Sequence, residues 1–200
     1  MPLSDDDKMK LAIDAWKQSI EVQQHFNEIF MKIRNFYISF VSALLALIGV
    51  VVSGIDDPFF VLWEYDVHIA LPILFAAIIA TYLFYFVDLH WYHRLLKGAV
   101  RNALEIEKRY KSEVVGLQLT TLIGRESPID VSSNWPIGNW LFWIFGILFG
   151  ADDRVRKKNE VHSDAKIGIF YKSISWIFIV LFLAFAFFGG IKALPIKALP

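Results

Sequence analysis

The sequence predicts an all-α integral membrane protein, and three observations carry that prediction. Of its 200 residues, 56% are hydrophobic, including 18 Phe and 7 Trp, more apolar material than a soluble core of this size takes up. Mean hydropathy is +0.47. Uncharged apolar blocks recur at about the 20 residues a helix needs to rise through ~30 Å of hydrocarbon. Lysine and arginine cluster in the segments between some blocks and are missing from one connector, which orients the chain. Together these features give about three transmembrane helices, one half-inserted or interfacial apolar helix, and a cytoplasmic helical layer.

Segment 1–34 reads as an N-terminal cytoplasmic amphipathic helix. Its first ten residues are polar and acidic, unlike a secretory signal. Ser4 precedes Asp5, Asp6 and Asp7, the pattern of an N-cap with acids in the first turn, where the helix dipole favours them. Ile13, Trp16, Ile20, Gln23, Asn27 and Phe30 recur at three- and four-residue steps as a stripe that turns polar toward the membrane. Glu21, His25, Glu28 and Lys32 form the opposite stripe.

The uncharged run within 35–54 is the first span. The connector 55–67 carries Asp56, Asp57, Glu64 and Asp66 but no basic residue, with Phe59, Phe60, Trp63 and Tyr65 suited to an interfacial belt, and is read as external. The second span, 68–88, has Pro72 in its first turn, where proline is tolerated. It continues without a break into a charged helical stalk that opens the segment 89–134 and ends in a loop. Arg94, Lys97, Arg101 and Lys108 fall on one stalk face. That stripe is open to three readings: a solvated, membrane-facing side, a surface for phosphate or nucleic acid, or a seam against the N-terminal helix. Glu105 and Glu107 offer i,i+4 partners to Arg109 and Lys111.

The block 135–150 is too short for a full span and is read as re-entrant or interfacial, with a fourth membrane helix as the alternative. A basic cytoplasmic connector, 151–166, follows. The last span covers 167–190, and the tail 191–200 returns outside by parity.

Chemistry is sparse. The absence of cysteine excludes disulfides and thiolate sites. There is no glycine-rich phosphate loop, nucleophile elbow, HExxH or intramembrane carboxylate pair, so no catalytic residue, metal ligand set or cofactor is assigned and an enzyme is not expected. His90 and His93 share a helix face but lack a third ligand at suitable spacing. Three spans this poor in polar groups cannot enclose a pore alone, whereas a symmetric homo-oligomer can. The ligand-binding candidates are Gln23, Gln24, His25 and Asn27 with Arg94, Lys97 and Arg101: cations able to hold phosphates and amides able to read a base edge.

With its cytoplasmic N-terminal helix, three or so spans, and the stretches EVQQHFN and DLHWYHRLLKGAVR, the chain resembles the small transmembrane effectors of bacterial anti-phage abortive-infection systems, especially the Hailong type. The resemblance is architectural and covers the whole chain. It implies a homo-oligomeric channel, a tetramer, in the bacterial inner membrane. The gate would respond to a short oligonucleotide or cyclic nucleotide made by a partner nucleotidyltransferase, and opening would depolarise the infected cell. The competing expectation, from another class, is a non-conducting scaffold or accessory subunit that anchors a cytoplasmic partner.

Overall fold

The computed structural model describes residues 4–130 and 160–193. The apolar block 135–150, most of the connector 151–166 and most of the tail 191–200 lie outside the described residues. The described residues are mostly helical, and among them three helices are long and apolar enough to cross a membrane: Asp5–Gly54, Ala70–Arg109 and Ser163–Phe188.

Helix α1 (Asp5–Gly54) runs 50 residues without interruption, so the segments 1–34 and 35–54, read separately from the sequence, share one helix. Its start is capped as the sequence predicts: the Asp7 amide donates to Ser4 Oγ at 3.2 Å, and Ser4 Oγ donates to the Asp7 carboxylate at 2.6 Å. A hairpin of β1 (Phe59–Leu62) and β2 (Tyr65–His68) follows. Helix α2 (Ala70–Tyr85) then passes through a π-helical segment, Phe86–Tyr92, into α3 (His93–Arg109). Beyond it come α4 (Leu119–Glu126), the short strands β3 (Ile129–Asp130) and β4 (Glu160–Val161), α5 (Ser163–Phe185), a second π-helical segment (Ala186–Gly190), and β5 (Ile191–Ala193).

The strands depart from the all-α expectation. β2 sits between β1 and β5, antiparallel to both, with Leu62 opposite Tyr65 and Tyr65 opposite Ala193. The hairpin turns on Trp63-Glu64, and Trp63 adopts φ 54°, the positive value that tight hairpin turns require and usually obtain from Gly or Asn. A second small sheet pairs Ile129 with Val161 and Asp130 with Glu160, antiparallel.

The chain divides into two compact units. One comprises 34–84 with 170–193. Its core holds Ile48, Ala70, Leu74, Ala77 and Phe178, with Val41, Leu44, Ile174 and Leu181 packed around them. Beside it Tyr37, fully buried, has ring centroids 5.1 Å from Phe84, 6.0 Å from Phe170 and 5.0 Å from Tyr171. The Tyr37 hydroxyl donates to Thr81 Oγ1 at 3.1 Å, and that hydroxyl donates to the Ala77 carbonyl at 2.7 Å. The bond to its own helix satisfies Thr81 without a charge, as hydroxyls in apolar helices commonly do.

Candidate functional site

The second unit comprises 4–33 with 85–130 and 160–169, and it contains every residue singled out above for ligand binding. It is built on a seam between the first half of α1 and α3. From one end to the other, Trp16 Nε1 donates to Glu107 Oε1 at 3.0 Å, Asn102 Nδ2 donates to Ser19 Oγ at 2.7 Å, and Gln23 Nε2 donates to the Ala99 carbonyl at 3.4 Å. Phe26 then meets the Tyr92 ring and Phe30 the His93 ring, with centroids 6.5 and 5.9 Å apart. The partners ascend along α1 and descend along the stalk, so the two run antiparallel. Positions 16, 19, 23, 26 and 30 alternate three- and four-residue steps, the spacing that keeps one face against a straight partner. The seam is therefore rotated from the stripe read in the sequence: Ser19 and Phe26 lie in it, while Asn27 faces solvent.

At the far end of the seam Glu107, 2% exposed, is the hub. Oε1 accepts from the Thr120 amide at 2.7 Å as well as from Trp16, and Oε2 accepts from the Thr121 amide at 2.9 Å and the Thr121 hydroxyl at 2.6 Å. Thr120 and Thr121 open α4, whose N-cap Gln118 makes no side-chain capping bond. A helix start leaves amides without intrahelical partners. Here a carboxylate eleven residues before Gln118 supplies the acceptors. Burial acts to raise the Glu107 pKa, but bonds from Thr121, Trp16 and the two amides outweigh it and hold the carboxyl below the usual range. The i,i+4 pairing of Glu107 with Lys111 weighed from sequence does not form, because the carboxylate is turned inward and occupied.

Asp164, in the first turn of α5, receives hydrogen bonds from His93 Nε2 and Lys97 Nζ. Burial acts to raise its pKa, and the contacts with Lys97 and His93 prevail and lower it. These contacts tie α3 to the start of α5 across 71 positions of sequence. Nearby, Lys166 Nζ donates to the Ser127 carbonyl at 2.7 Å.

Of the seven candidate ligand residues, Gln23 is half-buried and spends its amide on the stalk backbone. Gln24, His25 and Asn27 are exposed, and His25 has its ring against Phe26 with centroids 6.2 Å apart. Arg94, Lys97 and Arg101 are exposed on α3, with Lys97 engaged by Asp164. Among the described residues no hydrogen bond or ring contact joins Gln24, His25 or Asn27 to Arg94, Lys97 or Arg101. The elements sequence reasoning missed are the Glu107 hub and the His93–Asp164–Lys97 contact. Each depends on partners brought from another helix, so neither leaves a local pattern. Among the described residues no group of three or more His, Asp or Glu converges as a metal site would.

Compared with known protein families, characterised proteins and solved structures, the chain matches none.

Proposed function

We propose that the chain is the subunit of an oligomeric channel or pore-forming effector in the bacterial inner membrane. In this reading its cytoplasmic helices take a nucleotide or oligonucleotide signal, and opening depolarises the cell in phage defence. The observation that carries it is the exposure of the apolar helices: within their most apolar windows only 11%, 28% and 11% of residues are buried inside the chain. Such surface needs covering by lipid or by further copies, and copies arranged about an axis can enclose a path that one chain cannot. The resemblance in architecture to the small anti-phage effectors supports the same reading.

Purified protein in a planar bilayer of phospholipid is expected to pass current in discrete steps. If repeated reconstitutions pass none, the reading fails and the non-conducting scaffold takes its place.

The orientation proposed has the N-terminal half of α1 in the cytoplasm and the hairpin outside. Because β5 hydrogen-bonds to β2, and β4 to β3, each pair shares one side of the membrane. Cysteines introduced by Trp63→Cys and Lys192→Cys should both react with an impermeant maleimide applied outside intact cells. Lys17→Cys, Arg125→Cys and His162→Cys should react only after the cells are opened. Opposite labelling of Trp63→Cys and Lys192→Cys would overturn this arrangement.

A further inference from the structure

A cavity of about 290 Å³ opens beside the Glu107 hub, apart from the Arg94, Lys97 and Arg101 face. Leu104 supplies an apolar wall, and Gln118 and Thr121 supply polar groups. The rest of its lining is charged: Lys108, Lys111 and Arg125, all exposed, around the buried Glu107. The carboxylate is already saturated by four donors from Trp16, Thr120 and Thr121. Among the described residues no carboxylate pairs with any of the three cations. Three cations brought together around one spent carboxylate leave, among the described residues, an excess positive charge with no acceptor, at a concave place able to hold a ligand.

From this juxtaposition we propose that Lys108, Lys111 and Arg125 form a binding site for a small, soluble, phosphate-bearing anion. Lysine ammonium groups act as point charges on phosphate oxygens, and the arginine fork can contact two of them. Gln118 has amide groups suited to whatever the phosphate carries, and Leu104 offers it an apolar face. Pockets for small molecules start at roughly 300 Å³, so there is room for a phosphate with a compact substituent and not for a long oligonucleotide. A lipid headgroup offers the same chemistry. The two sources are separated by the test below, which uses a soluble probe in nanodiscs without anionic lipid. The physiological use of the site rests on the reading that this unit receives a signal. Binding itself does not, and it is measured without reference to current.

The test is calorimetric titration of the full chain, in nanodiscs of phosphatidylcholine alone, with inorganic pyrophosphate as probe. Saturable binding that weakens with added sodium chloride is expected, because exposed charges are screened. Lys108→Gln combined with Lys111→Gln should weaken it at least tenfold, and Arg125→Gln should do so separately. Lys10→Gln combined with Lys32→Gln, which removes as much charge elsewhere on the same unit, should leave it unchanged. All these side chains are exposed, and an unaltered Tm confirms that the variants fold. The proposal is overturned if the parent shows no saturable binding, or if the Lys108, Lys111 and Arg125 variants bind as the parent does. It is also overturned if binding appears only in nanodiscs containing phosphoinositide and pyrophosphate does not compete, which would assign the cations to a lipid.

Discussion

Replacing Glu107 with alanine is expected to destabilise the unit built on the seam between α1 and α3 by about 3 kcal/mol, since hydrogen bonds to a charged group contribute about 1.5–3 kcal/mol and buried donors left without partners cost about 1–3 kcal/mol. Four donors lose their acceptor at once, two of them backbone amides at the start of an eight-residue helix. Helices shorter than about 12 residues are marginal alone, so α4 should fray. Hydrogen exchange at the Thr120 and Thr121 amides reads this directly, and protection there should fall far more than in α5. Glu107→Gln keeps the volume but has one acceptor oxygen in place of two, and should lie between parent and alanine. Unchanged protection in Glu107→Ala would remove the carboxylate from the role of remote cap.

The same residue sets an acid limit. Its pKa is lower in the folded than in the unfolded state. The stability it contributes is therefore fully present above the unfolded-state value, about 4.3, and is lost as pH falls through the lower folded-state value. Asp164 has the same sign. Thermal unfolding followed from pH 7 downward should show Tm falling below about pH 4.3, with a shallower fall in Glu107→Gln and a residual part that belongs to Asp164.

The other large effect is expected at Tyr37. Its ring is fully buried against Phe84, Phe170 and Tyr171, and removing a large aromatic side chain from such packing typically costs about 3–5 kcal/mol. Its hydroxyl bond to Thr81 is a smaller matter, since hydrogen bonds between membrane helices average about 0.6 kcal/mol. Tyr37→Ala should therefore unfold at markedly lower SDS in a detergent titration, with Tyr37→Phe close to the parent. Equal losses in the two variants would mean that the bond to Thr81, and not the ring, holds the helices together.

The three apolar helices were legible in the sequence because length and hydropathy act locally: a run of apolar residues long enough to span reads the same wherever its neighbours lie. The cap at Ser4 was legible for the same reason, with donor and acceptor three residues apart. The phase of the seam was not. Phe26 and Asn27 are adjacent, and near a membrane an apolar residue on either face of a helix is unremarkable, so spacing alone could not decide which turned inward. Phase is also lost across Phe86–Tyr92, where i,i+5 bonding widens each turn and shifts every later side chain around the axis. For Glu107 the neighbouring sequence offers only an i,i+4 contact with lysine, at about 0.3–0.5 kcal/mol on a surface. The donors that outweigh it come from α1 and α4. The candidate ligand face suffers from the same limit, with Lys97 committed to Asp164, a residue from a different helix. The hairpin was missed because Trp63-Glu64 has none of the Gly, Asn or Asp that signals a tight turn.

The place of β2 between β1 and β5 has a consequence for biosynthesis. β1 and β2 leave the ribosome together, and a hairpin can close in microseconds. β5 follows only after α2, α3, α4 and α5 have been made, and at about 5–20 residues per second that is an interval on the order of 10 s. Throughout it, one edge of β2, from Tyr65 to Val67, presents backbone groups that β5 will later occupy, and an open strand edge is a template for pairing with a neighbouring chain. For chains synthesised side by side on one message, the speed of translation through α5 sets how long that edge stays open before each chain's own Ile191 arrives to close it.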